Sequence, residues 1–218
     1  MMSRTAIILA GGNSQRFGAE KGLADLAGKP LILHVIGKIR DLVDEVIVCV
    51  KTNEQSISFS SILPDDSKIA IDAENLPTCP LTGVFTGLEK AKGEYSIILP
   101  CDTPFLSRKL ADLMFDIAAG VSAVIPRWPN GYLEPLQAVY RTKSALEATK
   151  ETLKEGKKRL RCMISLLKRV RYLSTLVIKE IDPKMLTFFN INMPIDLKKA
   201  EAIIKRKNYL QTDHKDLI

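Results

Sequence analysis

The chain has little of what metal-caged, disulfide-stapled or membrane-spanning proteins need. Its 218 residues include two histidines, His34 and His214, and four cysteines (Cys49, Cys79, Cys101, Cys162), widely spaced and without a C-x-x-C pair. A zinc site needs clustered Cys and His, and disulfide frameworks belong to smaller secreted chains, so neither is expected. No apolar run approaches the roughly 20 residues of a transmembrane helix. Thr5–Ala10 is too short for a signal-peptide core and runs straight into glycines, which predicts a cytoplasmic, reduced protein. Two well-known phosphate loops are also missing: neither G-x-x-x-x-G-K-[ST] nor G-x-G-x-x-G occurs. There is no internal repeat, low-complexity stretch or interdomain linker. One domain over residues 1–207 is expected, with a frayed tail over 208–218.

What is present is the composition of an ordinary globular domain, 46% hydrophobic and 26% charged. The net charge of +7 favours anionic ligands. Much of the basic excess lies in Lys154–Arg171 and Lys198–Lys207, which read first as solvated helix faces. Without interleaved aromatics or a known motif, charge alone does not make a nucleic-acid partner.

Apolar runs alternate with helical spacing. Strands are predicted over Thr5–Ala10, Glu45–Val50, Lys68–Asp72 and Tyr95–Pro100. Helices are predicted over Leu31–Arg40 and Leu81–Ala91, and from the cap Ser107 to near Gly120. Continuous rather than alternating apolar strands argue for an α/β fold: a Rossmann-like, doubly wound, mostly parallel sheet with helices on both faces. After Gly120 come a strand at Ser122–Pro126, a turn at Trp128–Gly131 and an extended Leu133–Tyr140, a hairpin-like reversal. Helices follow at Thr142–Glu155 and about Arg159–Lys168. Arg169–Lys179 is expected to be extended, Phe188–Asn192 to return to the sheet, and Pro194–Lys207 to be the last helix.

The most informative segment is Ala10–Lys21, where a strand meets glycines and then two cations. Gly11 and Gly12 let backbone amides approach a polyphosphate, and Arg16 and Lys21 can neutralise it. Asp102 closes the strand Tyr95–Pro100 at its carboxyl end, the edge where open α/β sheets bind ligands. A hard carboxylate there suits Mg²⁺. Asn190 and Asn192, two residues apart, share one face of an extended segment and could hold metal, ribose or a phosphate. No Ser/His/Asp or Cys/His set is present, and none is needed if the nucleophile is an already ionised phosphate.

LAGGNSQRFGAEKGLADLAGKPLI resembles the signature of the sugar-nucleotide and cofactor nucleotidyltransferases. Within that superfamily the chain most resembles the molybdenum cofactor guanylyltransferases, the MobA family. The likeness continues through Asp72 with Pro80-Leu81-Thr82-Gly83, then Pro100-Cys101-Asp102-Thr103-Pro104-Phe105, Glu134–Tyr140 (EPLQAVY) and Asn190–Leu197 (NINMPIDL). It implies a nucleotidyltransferase that takes GTP and molybdopterin as substrates with Mg²⁺ as cofactor. The nucleotide would lie against Leu9, Ala10, Gly11, Gly12 and Lys21, with Asp102 as metal ligand. Asp72 would accept from guanine N1–H and N2–H₂, and Asn53 would contact base or ribose. Transient contact with cofactor-synthesis or acceptor proteins, as a monomer or weak oligomer, is also implied. Two positions depart from the pattern. Cys79 stands where the family usually has glycine. Met193 replaces the threonine that would cap the last helix, so that an asparagine is expected to supply the cap. A cytidylyltransferase, transfer to another phosphorylated acceptor, and a non-catalytic nucleotide-binding domain remain open at this point.

Overall fold

β1 (Arg4–Leu9) is an interior strand of the sheet: every residue between its ends is buried and it has neighbours on both sides. The computed structural model describes residues 2–12 and 20–213, with side chains of the last helix described as far as Arg206. After the first loop, a 3₁₀ turn at Lys21–Leu23 leads into a two-residue ribbon, β2 (Asp25–Leu26) with β3 (Lys29–Pro30). There follow α1 (Leu31–Ile39), β4 (Glu45–Val50), α2 (Asn53–Ser60), β5 (Ser67–Ile71), α3 (Pro80–Lys90), β6 (Tyr95–Pro100) and α4 (Arg108–Asp116). The second half contains β7 (Ala123–Arg127), β8 (Ala138–Arg141), α5 (Thr142–Lys154), α6 (Leu160–Leu166), β9 (Val170–Ser174), α7 (Thr175–Ile181) and α8 (Pro194–Asp213).

The main sheet has the order β5-β4-β1-β6-β8-β7-β9, and β8 alone runs against the rest. Alternate residues of the central strands feed two separate cores, because successive side chains of a strand point to opposite faces. Ala6, Ile8, Val48, Ile97 and Leu99 meet Ile32, Val35, Ile36 and Ile39 of α1 and Leu110, Met114 and Phe115 of α4. Ile7, Ile47, Cys49 and Ile98 meet Leu81, Val84 and Leu88 of α3, with Ala145, Ala148, Met163 and Ile164 of α5 and α6. The spacing 32, 35, 36, 39 is the apolar stripe of a helix lying on a sheet. The fold is therefore the doubly wound, mostly parallel α/β sheet expected, and Ser107 does cap α4, its hydroxyl accepting from the Leu110 amide.

Several local expectations need correction. α2 was not foreseen. Its sequence NEQSISFS carries a single large buried apolar residue, Phe59, and the Thr52 hydroxyl that caps it decides its start. Only Val170–Ser174 of the expected extended segment is strand. Ser174 then accepts from the Leu176 amide and starts α7, an ST-type cap that competes successfully with continued extension. Leu133–Gln137 lies outside β8, held by an isolated bridge from Leu133 to Arg127. Phe188–Asn192 does not enter the sheet, since Leu186–Phe188 is a 3₁₀ turn after the left-handed Met185. α8 runs to Asp213, past the expected stop at Lys207, as no proline or glycine interrupts Asn208–Asp213.

Candidate active site

The carboxyl ends of β1, β4, β5 and β6 open on one edge, and a cavity of about 640 Å³ lies there. Leu9, Ala10, Gly11 and Gly12 form one wall, continuing β1. Cys49 and Lys51 come from β4 and its end, Asp72 from the end of β5, and Pro100, Cys101 and Asp102 from the end of β6. Thr78, Cys79, Pro80 and Gly83 line the start of α3, and Lys21, Leu136 and Asn192 complete the lining. The ladder continues past the strand ends: the Ala10 amide donates to the Cys49 carbonyl (2.8 Å), and that of Asp72 to Val50 (2.9 Å). Gly11 is where these ends approach most closely. A Cβ there would stand 2.9 Å from the Lys51 backbone nitrogen, so only glycine lets the loop leave β1 in this direction.

Lys21, at the start of the 3₁₀ turn, donates through Nζ to Asp102 Oδ2 and, at 2.9 Å, to Asn192 Oδ1. The lysine and aspartate side chains are 19% and 16% exposed, so the pair is only partly screened by water. Asp102 Oδ1 is buried and has no hydrogen-bond partner among the described residues. The backbone joins the same two segments, the Ile191 amide donating to the Asp102 carbonyl at 3.0 Å. Thr187 anchors the approach to Asn192. Its carbonyl accepts from Gln137 Nε2 (2.5 Å), its amide donates to Asp182 Oδ2 (2.7 Å), and its hydroxyl accepts from the Ser107 amide (3.0 Å). Gln137 belongs to EPLQAVY, whose Tyr140 hydroxyl donates to the Pro135 carbonyl at 2.8 Å. That motif is thus a brace as well as a wall.

Asp72 sits 2.7 Å from the Thr86 hydroxyl. Burial pushes its carboxyl above the ordinary range, opposed by the Thr86 hydrogen bond and by the charge of Lys51. Cys101 and Cys49 both line the cavity, but burial pushes the Cys101 thiol up to about 12, reinforced by Asp102, and pushes Cys49 well up too. Both are neutral thiols at physiological pH and act as small apolar surface, not as nucleophiles.

Of the residues expected in the site, Leu9, Ala10, Gly11, Gly12, Lys21, Asp72, Asp102 and Asn192 share this one cavity. Asn53 lines instead a neighbouring cavity of about 400 Å³, which shares Lys51, Asp72 and Thr78 with the first. Asn190 is exposed and does not line the cavity, because the segment it belongs to is not a strand and its residues do not alternate about a sheet. Arg16 falls outside the described residues. Neither asparagine caps α8. Asp196 reaches back to accept from the amides of Asn192 (3.2 Å) and Met193 (3.0 Å), the returning half of a capping box. Trp128 donates to Glu134 Oε1 (2.7 Å) and packs on Phe188, 5.6 Å between rings, as a packing anchor does.

Sequence reasoning missed Lys51, the cation beside Asp72; its place one residue beyond a parallel strand was the available signal. The structure also divides the basic stretch. α5 starts at the amino edge, where Arg141 pairs with Tyr95, and rises about 20 Å. Lys154–Arg161 therefore reaches the carboxyl edge, while Lys168–Arg171 returns to the opposite edge at the start of β9. All eight basic residues are exposed, and none lines the cavity.

The donor set fits a Mg²⁺ ion. Asp102 Oδ1 is a buried hard oxygen with no hydrogen-bond partner among the described residues, and the Asn192 side-chain oxygen lies across Lys21 from it. Among the described residues no three His, Cys, Asp or Glu side chains form a cage. Mg²⁺ does not require one, since it takes one or two carboxylates and fills its shell with phosphate and water.

A glycine-lined wall, a lysine–carboxylate pair and a second carboxylate, all at the carboxyl edge of a parallel sheet, are the parts of a nucleotide-binding α/β domain built to transfer a phosphate-linked group. The MobA-like NTP transferase domain matches residues 6–170, and the chain belongs to that family. It is 33% identical over 208 residues to a probable molybdenum cofactor guanylyltransferase of Methanosarcina mazei, covering 94% of this chain and 92% of that one. It is likewise 33% identical to the molybdenum cofactor guanylyltransferase of Desulfosudis oleivorans, covering 92% and 96%. The crystal structure of molybdopterin-guanine dinucleotide biosynthesis protein A from Archaeoglobus fulgidus superposes with a TM-score of 0.78 at 26% identity, covering 93% of this chain and 99% of that one. Among the described residues, no helix is long and apolar enough to cross a membrane.

Proposed function

We propose that this protein transfers GMP from GTP to the phosphate of molybdopterin, releasing pyrophosphate and forming molybdopterin guanine dinucleotide. The observation that carries the reading is the convergence of Lys21, Asp102 and Asn192 on the cavity that Gly11, Gly12 and Asp72 also line. An oxygen of the acceptor phosphate attacks the α-phosphorus, and the bond to the β-phosphate oxygen breaks. That nucleophile is ionised at neutral pH, so the protein supplies alignment and charge neutralisation and no general base. The amides around Gly11 and Gly12 cradle the polyphosphate. Lys21 neutralises its charge from the side of β6, joined by Arg16 from the first loop. Asp102 and Asn192 offer their oxygens to Mg²⁺, which when bound would screen the phosphates and stabilise the leaving pyrophosphate. Asp72 accepts from N1–H and N2–H₂ of guanine, an edge that neither adenine nor cytosine presents, and Asn53 contacts base or ribose from the adjoining cavity. The setting is a cytoplasmic protein, monomeric or weakly associated, in transient contact with the proteins that supply and receive the cofactor.

The test is pyrophosphate release from each NTP with molybdopterin as acceptor, with a sugar phosphate in parallel. Turnover is expected with GTP and molybdopterin together. Turnover with CTP and none with GTP would replace the reading by a cytidylyltransferase, and turnover with the sugar phosphate alone would replace the acceptor.

Asp72→Asn separates recognition from stability. A lost carboxylate–guanine pair removes about 1–3 kcal/mol of discrimination, the scale of a bidentate base contact, so GTP preference should fall about 10- to 100-fold. Burial in the fold raises the Asp72 pKa above that of an ordinary aspartate, so the folded protein binds that proton more tightly than the unfolded chain does. Ionised Asp72 therefore costs stability, a cost that builds up as pH rises through the unfolded and then the folded value and is constant above. The asparagine variant should melt no lower than wild type at pH 7, and any advantage should vanish in acid, where Asp72 is protonated. By the same sign, the wild-type KM for GTP should begin to rise on acidification at a higher pH than an ordinary carboxylate would dictate. A variant that melts clearly lower at pH 7, with unchanged nucleotide preference, would remove Asp72 from the base site.

A further inference from the structure

α2 has little reason to exist as an independent helix: it is short, mostly polar, and was invisible to hydrophobic periodicity. Its one buried polar side chain is Gln55, 6% exposed, and both ends of that amide are used. Oε1 accepts from the Lys51 backbone amide at 2.7 Å, and Nε2 donates to Glu20 Oε2 at 2.9 Å. The Gln55 amide itself donates to the capping Thr52 hydroxyl at 3.2 Å, which holds the side chain's own backbone in place.

These two partners belong to opposite halves of the site. Glu20 is the residue before Lys21, whose Nζ reaches Asp102 and Asn192. Lys51 directly follows β4, lines the cavity beside Asp72, and its nitrogen is the atom against which Gly11 packs. We infer that Gln55 is a positioning residue: it locks the segment carrying Lys21 to the end of β4, so that the phosphate-binding lysine and the Asp72 end of the cavity keep one spacing. The inference rests on the proposed nucleotide site. The chemistry of the clamp demands an amide. The backbone N–H of Lys51 needs an acceptor and the half-buried carboxylate of Glu20 a donor, and of the side chains of this length only the neutral amide supplies both from one group. A carboxylate in its place would still accept from Lys51 but would face Glu20 with a second negative charge in a place that water barely reaches.

The decisive pair is Gln55→Glu alone and Gln55→Glu combined with Glu20→Gln. The single variant keeps the shape and the Lys51 bond and repels Glu20. The double variant restores a donor at 20 facing an acceptor at 55 while Lys51 remains satisfied. The single variant should raise the KM for the nucleotide by about 10-fold or more, the scale of a hydrogen bond to a charged group lost at a buried site. The melting temperature should fall by a few degrees with the protein still folded at the assay temperature, and the double variant should recover most of both the affinity and the stability. Hydrogen exchange of the peptide holding Glu20 and Lys21 gives a readout independent of turnover. It should speed up in the single variant and slow again in the double. Should the nucleotide or acceptor prove to be another, exchange would still decide the clamp. Unchanged KM and exchange in Gln55→Glu, or a double variant no better than the single one, would overturn it. So would a KM that merely tracks the unfolded fraction.

Discussion

Replacing Asp102 by alanine is expected to lower kcat by at least about 100-fold, the scale on which removal of one preorganised electrostatic group acts, with a much smaller change in melting temperature. The expectation follows from where the carboxylate stands. Oδ2 meets Lys21 Nζ, and Oδ1 is buried with no partner among the described residues. A buried carboxylate oxygen without a donor is costly unless something positively charged completes it in the working state. Alanine removes the oxygen proposed to hold Mg²⁺ and also takes from Lys21 the carboxylate that holds its charge toward the proposed phosphate site. Asp102→Asn is the sharper control: it preserves an oxygen for Lys21 and loses the charge, so it should resemble alanine in kcat. Lys21→Met should likewise be severe, and the double variant with Asp102→Ala should cost far less than the two losses combined, since the groups act as a unit. Steady-state rates at saturating GTP and Mg²⁺, with circular dichroism to confirm folding, decide the matter. An alanine variant within a few-fold of wild type would take Asp102 out of the transfer step.

Gly87→Ala should be among the most destabilising small substitutions in the chain, although it lies away from the chemistry. An added Cβ would stand 2.3 Å from Ile7 Cγ2 and 3.0 Å from Cys49 Sγ, with Ile7 Cδ1 at 3.2 Å. Ile7 and Cys49 are fully enclosed members of the core under α3, so neither has room to turn away. Overpacking of this kind costs about 1–3 kcal/mol, and each kcal/mol lowers Tm by about 2–4 °C in a domain of this size. The helix propensity of alanine works in the opposite direction by up to about 1 kcal/mol and does not outweigh the clash. Lifting α3 would also disturb Thr86, one residue away, and through it Asp72. A rise in nucleotide KM should therefore accompany the fall in Tm. Thermal unfolding followed at one fixed pH tests this, and an unchanged or higher Tm would show that α3 sits less tightly on β1 than the distances require.

The parts of the fold legible in the chain are those decided by local pattern. β1, β4 and β6 are continuous apolar runs, α1 repeats its buried residues at helical spacing, and Ser107 announces a helix with its own hydroxyl. α2 and α7 were not legible, because their short polar-capped starts compete almost evenly with extended chain and win only once Phe59 and Ile178 find the core. Asn190 was misjudged for a related reason. Two-residue alternation was assumed for a segment whose backbone follows a 3₁₀ turn and one bond to Asp102.

By itself the sequence determined the sheet's central strands, the glycine and lysine of the first loop, and the carboxylates that end β5 and β6, since strand periodicity and the close backbone approach allowed by glycine are encoded within a few residues. Only the tertiary structure decided which of these meet. Lys21 touches Asp102 and Asn192 across 81 and 171 positions of chain, Lys51 stands beside Asp72, and Gln55 clamps Glu20 to β4. Such contacts depend on strand order and on parallel strands delivering their carboxyl ends to one edge, a property of the whole sheet that no local window of residues contains.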